Sequence, residues 1–316
     1  MNTRRPLATE APVDDVTVLL STFNGEDFLQ AQLDSLYAQT HAPARILVRD
    51  DGSSDGTAEI LEKARAAGRI EILASGPNLG AARSFLELLR LAVADSAGYI
   101  AFCDQDDIWS PDKIARAVAV LSSSTVEAPV MYCSRLALVD ADLNPLGLTP
   151  LPGKTGFGNA LVENIAVGCT IMLNRAASEL VATNLPARVL IHDWWCYAVV
   201  SCFGSVLYDE QPTIQYRQHG SNAFGADAAG SHAWARKLRR FSGRGPGLHW
   251  QSDQAITFLE TFRDRMPVAP RRLVEKFTGA RSAFRQRLSL AMSGKVWRQK
   301  PLDDFAQRML ILLNRY

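Results

Sequence analysis

The 316-residue chain contains no G-x-G-x-x-G and no G-x-x-x-x-G-K-[ST] segment, so neither a dinucleotide loop nor a P-loop is there to cradle a phosphate. Cysteines are few, at 103, 133, 169, 196 and 202, and none are spaced as C-x-x-C. Zinc ligation is therefore unsupported, and the odd count argues against a disulfide framework. They read as buried thiols of a cytosolic protein. No apolar run approaches the roughly 20 residues that cross a bilayer. The start of the chain has Arg4 and Arg5 with no apolar core behind them, unlike a signal peptide, and residues 1–14 are expected to be a disordered lead. Repeats and low-complexity tracts are also missing. At 47% hydrophobic and 21% charged, the chain has an ordinary globular composition.

What is present is unevenly distributed. The net charge of +1 hides 18 Lys and Arg against 6 Asp and Glu from Ser231 to Tyr316, and 16 against 27 in the first 230 residues. A basic tail behind an acidic front half suggests that the tail meets something anionic. Nucleic acid is a poor candidate, because the acidic half repels it.

In the front half, short apolar runs alternate with amphipathic stretches. Val16 to Leu20, Ile46 to Val48, Ile70 to Leu73 and Tyr99 to Phe102 read as buried strands. Helices are expected around Leu29, Leu33, Leu36 and Tyr37, from Ala58 to Ala66, and from Ala81 to Ala94. Four such alternations predict a mostly parallel sheet with right-handed crossovers. A further helix is expected to start at Ile108-Trp109-Ser110-Pro111, with Pro111 in its first turn. After Ser122 come strands at 130–133 and 136–139, a Gly- and Pro-rich loop at 144–160, and a helix opened by Ile191 to Trp195. From Trp234 onward the chain reads as helices.

Two acidic clusters close strands of this series: Arg49-Asp50-Asp51-Gly52-Ser53-Ser54-Asp55-Gly56-Thr57 and Cys103-Asp104-Gln105-Asp106-Asp107. Ligands of α/β sheets bind beyond the carboxyl ends of the strands, where both clusters fall. Carboxylates one residue apart can hold a divalent metal, which in turn can hold a diphosphate; bare carboxylates would repel it. The plain alternative is that Asp-Gly and Asp-Asp mark polar turns. On that reading Asp50 and Asp55 serve turns, and Asp107 caps a helix beginning at Ile108.

Four ordered motifs, Val18 to Asn24, Val48 to Thr57, Asn78-Leu79-Gly80 and Cys103-Asp104-Gln105-Asp106-Asp107-Ile108-Trp109, resemble the family 2 glycosyltransferases over about residues 15–225. The Cys-Asp-Gln-Asp-Asp-Ile-Trp and Tyr216-Arg217-Gln218-His219-Gly220-Ser221-Asn222 segments look most like the bacterial rhamnosyltransferase-like branch. The resemblance implies a GT-A fold, an α/β architecture with a mostly parallel mixed sheet, over 15–225, followed by a helical basic C-terminal region at 231–316. It implies inverting transfer of a sugar, such as rhamnose, from a dTDP- or UDP-linked donor to a saccharide or lipid-linked acceptor in cell-surface polysaccharide synthesis. Ser21, Phe23 and Asn24 would line the nucleotide pocket, Phe23 supplying a stacking face unless it is simply core. Asp51 would accept a hydrogen bond from the base, and Asp104 would sit near the ribose. Asp106, with His219, would bind Mg²⁺ or Mn²⁺ on the diphosphate, and Arg217 would help neutralise it.

Inverting transfer needs a base for the acceptor hydroxyl. The resemblance places that role on Asp193, although His192 stands where the family usually has Glu; otherwise Asp193 caps its helix. Gly168 and Cys169 would border the acceptor, the glycine letting a ligand approach the backbone. Trp194 and Trp195 would pack on a sugar face or fill the core. The tail offers either a solvated appendage or attachment to an anionic membrane surface, with Trp234 to Phe241 as a compact basic-aromatic stretch. The implied place of action is the cytoplasm, at the inner face of the plasma membrane. Two rival classes remain: a sugar-1-phosphate nucleotidyltransferase, which needs a basic Gly-rich loop that Ser21 to Gly25 lacks, and an inactive nucleotide-sugar-binding scaffold.

Overall fold

A computed structural model describes residues 14–75, 77–94, 98–124, 127–186, 191–219 and 248–316. The strands β1 (Val16–Thr22), β2 (Arg45–Asp50), β3 (Glu71–Ser75) and β4 (Tyr99–Cys103) alternate with α1 (Leu29–Tyr37), α2 (Thr57–Ala66) and α3 (Ala81–Ala94). Val16, Val18, Leu19 and Leu20 are all fully buried, because helices cover both faces of a parallel sheet. On α1, Leu29, Leu33 and Leu36 form the single buried stripe that their spacing requires. β1 pairs in parallel with β2 and β4, Leu20 lying opposite Val48 and Leu19 opposite Phe102. Their carboxyl ends, carrying Ser21, Asp50 and Cys103, therefore open on one edge.

The chain continues through β5 (Ile108–Trp109), α4 (Lys113–Ser122), β6 (Val130–Ser134), β7 (Ala137–Val139), β8 (Pro145–Leu148) and α5 (Phe157–Ala160). A 3-10 turn at Gly168–Thr170, β9 (Met172–Leu173), α6 (Arg175–Ala182), α7 (His192–Phe203), β10 (Ser205–Asp209) and β11 (Ile214–Arg217) follow. Seven strands form one sheet in the order β10-β6-β9-β4-β1-β2-β3, with β9 antiparallel to both neighbours. A smaller sheet has the order β5-β11-β7-β8.

That smaller sheet overturns two local expectations. Ile108 and Trp109 do not start a helix; they pair antiparallel with Gln215 and Ile214, and α4 begins only at Lys113. The partner strand lies about a hundred residues downstream, so no local spacing signals it. Residues 144–160 are not all loop either, since β8 pairs with β7 and α5 follows.

The described C-terminal residues form α8 (Trp250–Phe262), α9 (Val268–Gly279), α10 (Phe284–Ala291) and α11 (Pro301–Leu312). Phe258, Phe262, Val274, Phe277, Ile311 and Tyr316 belong to the same buried cluster as Leu173 and Trp195. The basic-aromatic stretch at 234–241 lies outside the described residues.

Candidate active site

At the end of β1, the Thr22 hydroxyl donates to Asp50 at 2.9 Å, and Asp50 also accepts from the N–H and hydroxyl of Ser53. Asp50 thus holds a turn, and Asp55 does the same by accepting from the N–H groups of Glu26 and Thr57. Ser21 Oγ lies 2.6 Å from Ser84 Oγ. Phe23 leaves the sheet 46% exposed, so it is not core. Its N–H donates to Gln105 Oε1 at 2.8 Å, and its carbonyl accepts from Gln105 Nε2 at 3.0 Å. The middle residue of the Asp-Gln-Asp segment therefore locks the two strand-end loops together, a role the sequence reading did not give it. Asn24 adopts φ of 49°, and its Oδ1 accepts from Ser54 N–H at 2.8 Å. Its amide ties loop to loop.

Asp51 is buried, and its carboxylate takes three donors: the Arg49 guanidinium, and the Leu79 and Gly80 N–H groups at 2.8 Å each. Gly80 has φ of 79°, which explains the glycine in Asn78-Leu79-Gly80. A carboxylate has about four lone-pair positions, so one remains.

The second cluster splits three ways. Asp106 Oδ2 stands 2.8 Å from His219 Nε2, which brings the expected pair together. Asp107 is no helix cap. It is 1% exposed, its Oδ1 accepts the Arg217 N–H at 3.1 Å, and its Oδ2 has no hydrogen-bond partner. Ligand atoms of Asp104, Asp107 and Cys169 lie within 4.8 Å of one another. Burial, then the charges of Asp106 and Asp193, push the Asp104 carboxyl up to about 7. Burial, then Asp106 and Asp104, push Asp107 well above its ordinary value. Carboxylates that raise one another in this way, with His219 at the rim, suit a divalent cation.

Two expectations in this region are corrected. Arg217 is 5% exposed, with its guanidinium turned onto backbone carbonyls; its Nε donates to Asp106 O at 2.9 Å and its guanidinium to Ala141 O. It clamps the acidic turn to the strand below. Cys169 is fully buried, with its thiol pushed up by burial, so it borders no acceptor surface. Behind the turn, buried Lys113 has no hydrogen-bond partner on Nζ, which sits 3.5 Å from the Trp109 ring centroid. Burial pulls its ammonium down to about 8. Lys113 was missed because a lysine in an amphipathic helix reads as surface.

On the opposite wall, α7 supplies Asp193. Its Oδ2 accepts the Gly168 N–H at 3.1 Å, and Oδ1 accepts the Trp194 N–H at 2.5 Å. Burial raises its carboxyl to about 7, against the opposing pull of those two N–H groups and the Asn164 side chain. Asp193 thus lies inside the first turn and not at the cap, which is Ile191 and makes no side-chain capping bond, and its charge also reaches Asp104. Gly168 does not leave room for a ligand: a Cβ there would lie 2.8 Å from His192 Nε2, so the imidazole fills that space. His192 stacks on Phe85 at 4.2 Å and meets Phe102 edge-on at 5.1 Å, with neither ring nitrogen bonded. Burial holds it neutral, down to about 3, which suits packing and not proton relay. Trp195 is fully buried against Phe258 and Phe262, so it fills the core. Trp194 is 7% exposed, donates from Nε1 to Ala160 O at 2.6 Å and packs edge-on against Trp250, so it too is structural.

A mostly parallel seven-stranded sheet with acidic loops at the carboxyl ends of its central strands is the architecture of the GT-A transferase fold. The structure of Staphylococcus aureus TarS residues 1–349 in complex with UDP-GlcNAc superposes with a TM-score of 0.54 at 14% identity, covering 95% of this chain and 89% of that one. Residues 17–142 match the family model described as Glycosyl transferase family 2, which places that segment in the family. It is 29% identical over 218 residues to the dTDP-rhamnosyl transferase RfbG of Shigella flexneri, covering 66% of this chain and 74% of that protein. It is 30% identical over 162 residues to the UDP-Glc:alpha-D-GlcNAc-diphosphoundecaprenol beta-1,3-glucosyltransferase WfgD of Escherichia coli, covering 51% and 60%. The protein is a glycosyltransferase.

Proposed function

We propose that this glycosyltransferase is inverting, takes a dTDP- or UDP-linked sugar such as rhamnose, and passes it to a saccharide or lipid-linked acceptor in cell-surface polysaccharide synthesis. The observation that carries this reading is that Asp193, from α7, is near enough to Asp104, at the end of β4, for its charge to raise that carboxyl. In that setting the Asp193 carboxyl is raised to about 7, close to the value that serves a general base. Phe23 offers its exposed ring to the base, and the remaining lone pair of Asp51 accepts from a base N–H. Asp104 faces the ribose. Asp106 and His219 would hold Mg²⁺ or Mn²⁺. The bound ion would supply the positive charge that lets a diphosphate enter this acidic cleft and leave as an anion.

The chain's own residues then account for the proton. Asp193 takes it from the acceptor hydroxyl as that oxygen bonds to the sugar C1. The C1–O bond to the diphosphate breaks on the opposite face, and the nucleoside diphosphate carries away the electron pair. Configuration at C1 inverts. The RfbG and WfgD names motivate the choice of donors and of a diphospholipid acceptor, and so a place of action at the inner face of the plasma membrane. Among the described residues no helix is long and apolar enough to cross a membrane.

Asp193→Asn tests the assignment. The variant should keep the thermal shift produced by nucleotide and Mn²⁺ and lose transfer by about 10²- to 10⁴-fold. Transfer at the wild-type rate would overturn it.

A further inference from the structure

The α10–α11 hairpin exposes apolar side chains that nothing among the described residues covers. On α11 and just beyond it, Leu302, Phe305, Met309 and Leu313 are 83, 63, 39 and 62% exposed. Their spacing places them on one face, opposite Gln307 and Ile311, which enter the core. Along α10, Phe284, Leu288 and Met292 recur at every fourth residue and are 57, 40 and 76% exposed. The helices run antiparallel: Arg287 Nε donates to Leu312 O at 3.1 Å, and the Arg308 guanidinium donates to Ala291 O. Single exposed apolar residues are ordinary on a surface, but stripes at helical spacing on two joined helices call for a partner.

Charge selects the partner. Residues 280–316 hold eight Lys and Arg against two Asp, and Arg285, Lys300 and Arg315 are exposed around the stripes. A second copy would set like charge against like. An anionic bilayer complements both the apolar face and its basic rim. The hairpin is also fixed to the acceptor side of the site. Gln299 N–H donates to Glu163 at 2.7 Å, Asn159 Nδ2 donates to Trp297 O at 3.0 Å, and Trp194 Nε1 donates to Ala160 O at 2.6 Å. Those bonds link the root of α11 to the first turn of α7, beside Asp193.

We propose that the outer face of α10 and α11 lies in the headgroup region of an anionic phospholipid bilayer. Its purpose rests on the lipid-linked acceptor proposed above, but its measurement does not. The full-length protein is floated with vesicles of phosphatidylcholine and phosphatidylglycerol in equal proportion, without donor or acceptor. Binding is expected, weakening with salt and on pure phosphatidylcholine. Leu302→Ser with Phe305→Ser should lower partitioning by about tenfold per residue. Lys300→Gln with Arg315→Gln should lower it by about fivefold per charge and flatten the salt dependence. The charge variant touches no apolar contact, so it keeps the test decisive if the serine variant melts early. Three results overturn the proposal: no binding by the wild type, wild-type binding by both variants, or a dimer in sedimentation that the serine variant splits. Efficient transfer to a water-soluble glycan alone would remove the lipid-linked acceptor and leave the vesicle result standing.

Discussion

Gly168→Ala adds one methyl group where the structure has no room for it. A Cβ at Gly168 would stand 2.8 Å from His192 Nε2 and 3.1 Å from Cε1. Comfortable contact begins at about 3.5 Å, so about 0.7 Å must be found. The imidazole cannot supply it, being stacked on Phe85 at 4.2 Å with Phe102 against its edge. Backbone strain plays no part, because Gly168 sits in a 3-10 turn and is not among the glycines of positive φ. The first turn of α7 must therefore shift, and that turn carries Asp193, whose Oδ2 accepts the Gly168 N–H at 3.1 Å. Misplacing a catalytic group by about 1 Å costs about 100-fold, so kcat should fall by about 10- to 100-fold. Overpacking should cost about 1–3 kcal/mol of stability. The donor pocket is built from other elements, so the donor KM should hold.

Steady-state transfer kinetics and a melting curve make the comparison, and a second substitution sharpens it. His192→Ser removes the ring that obstructs the new methyl. In the Gly168→Ala background it should restore part of kcat, even though the serine variant alone loses stability. Full kcat in Gly168→Ala, or no recovery in the double variant, would refute the steric argument.

Three further outcomes follow from the site. As the proposed base, Asp193 must be ionised, and burial raises it to about 7; kcat/KM should therefore fall tenfold per pH unit below about 7, and a flat profile down to about pH 5 would remove it as the titrating base. Asp106→Asn should abolish the thermal shift that Mn²⁺ and nucleotide produce together and lower transfer by about 100-fold or more, while the apo protein melts normally, because Asp106 is partly exposed; an unchanged metal response would displace the metal site. Lys113→Met and Asp107→Asn should each destabilise by about 2–3 kcal/mol, with the double variant costing about 1 kcal/mol or more less than their sum; strict additivity in denaturant titrations would show that the two buried groups do not interact.

The βαβ half of the fold was legible because its signals are local. Apolar runs at 16–20, 46–48 and 99–102 became β1, β2 and β4, and the expected helix at 81–94 became α3. Asp50 and Asp55 hold turns as their Gly- and Ser-rich surroundings imply. Long-range pairing defeated the rest. Trp109 is a strand residue only because Ile214 lies opposite it. Asp107 is interior only because Arg217, 110 residues on, donates to it. Trp194, Trp195 and Cys169 matched an acceptor pattern, but aromatic and thiol side chains carry apolar area, and here burial claimed them. His192 had no sequence signal at all; its role depends on Phe85, Phe102 and the missing side chain of Gly168.

The separation of duties within the acidic turn follows from what lies beneath each residue. Asp104 continues β4 and stays at the cleft, where Asp106 and Asp193 raise it. Gln105 turns toward Phe23 and closes the loop. Asp106 meets His219, while its carbonyl is held by Arg217. Asp107 turns inward onto the backbone of the same arginine. The end of β11 and the two residues after it thus grip three consecutive features of the turn through positions 217 and 219. The arginine acts as a rigid fork, since a planar guanidinium can hold two carbonyls at once and an ammonium cannot hold that geometry. A cation-binding carboxylate needs such a support, because its loop must not move when the charge of a diphosphate arrives and departs. The acidic residues form the proposed site, and the buried arginine holds them in place.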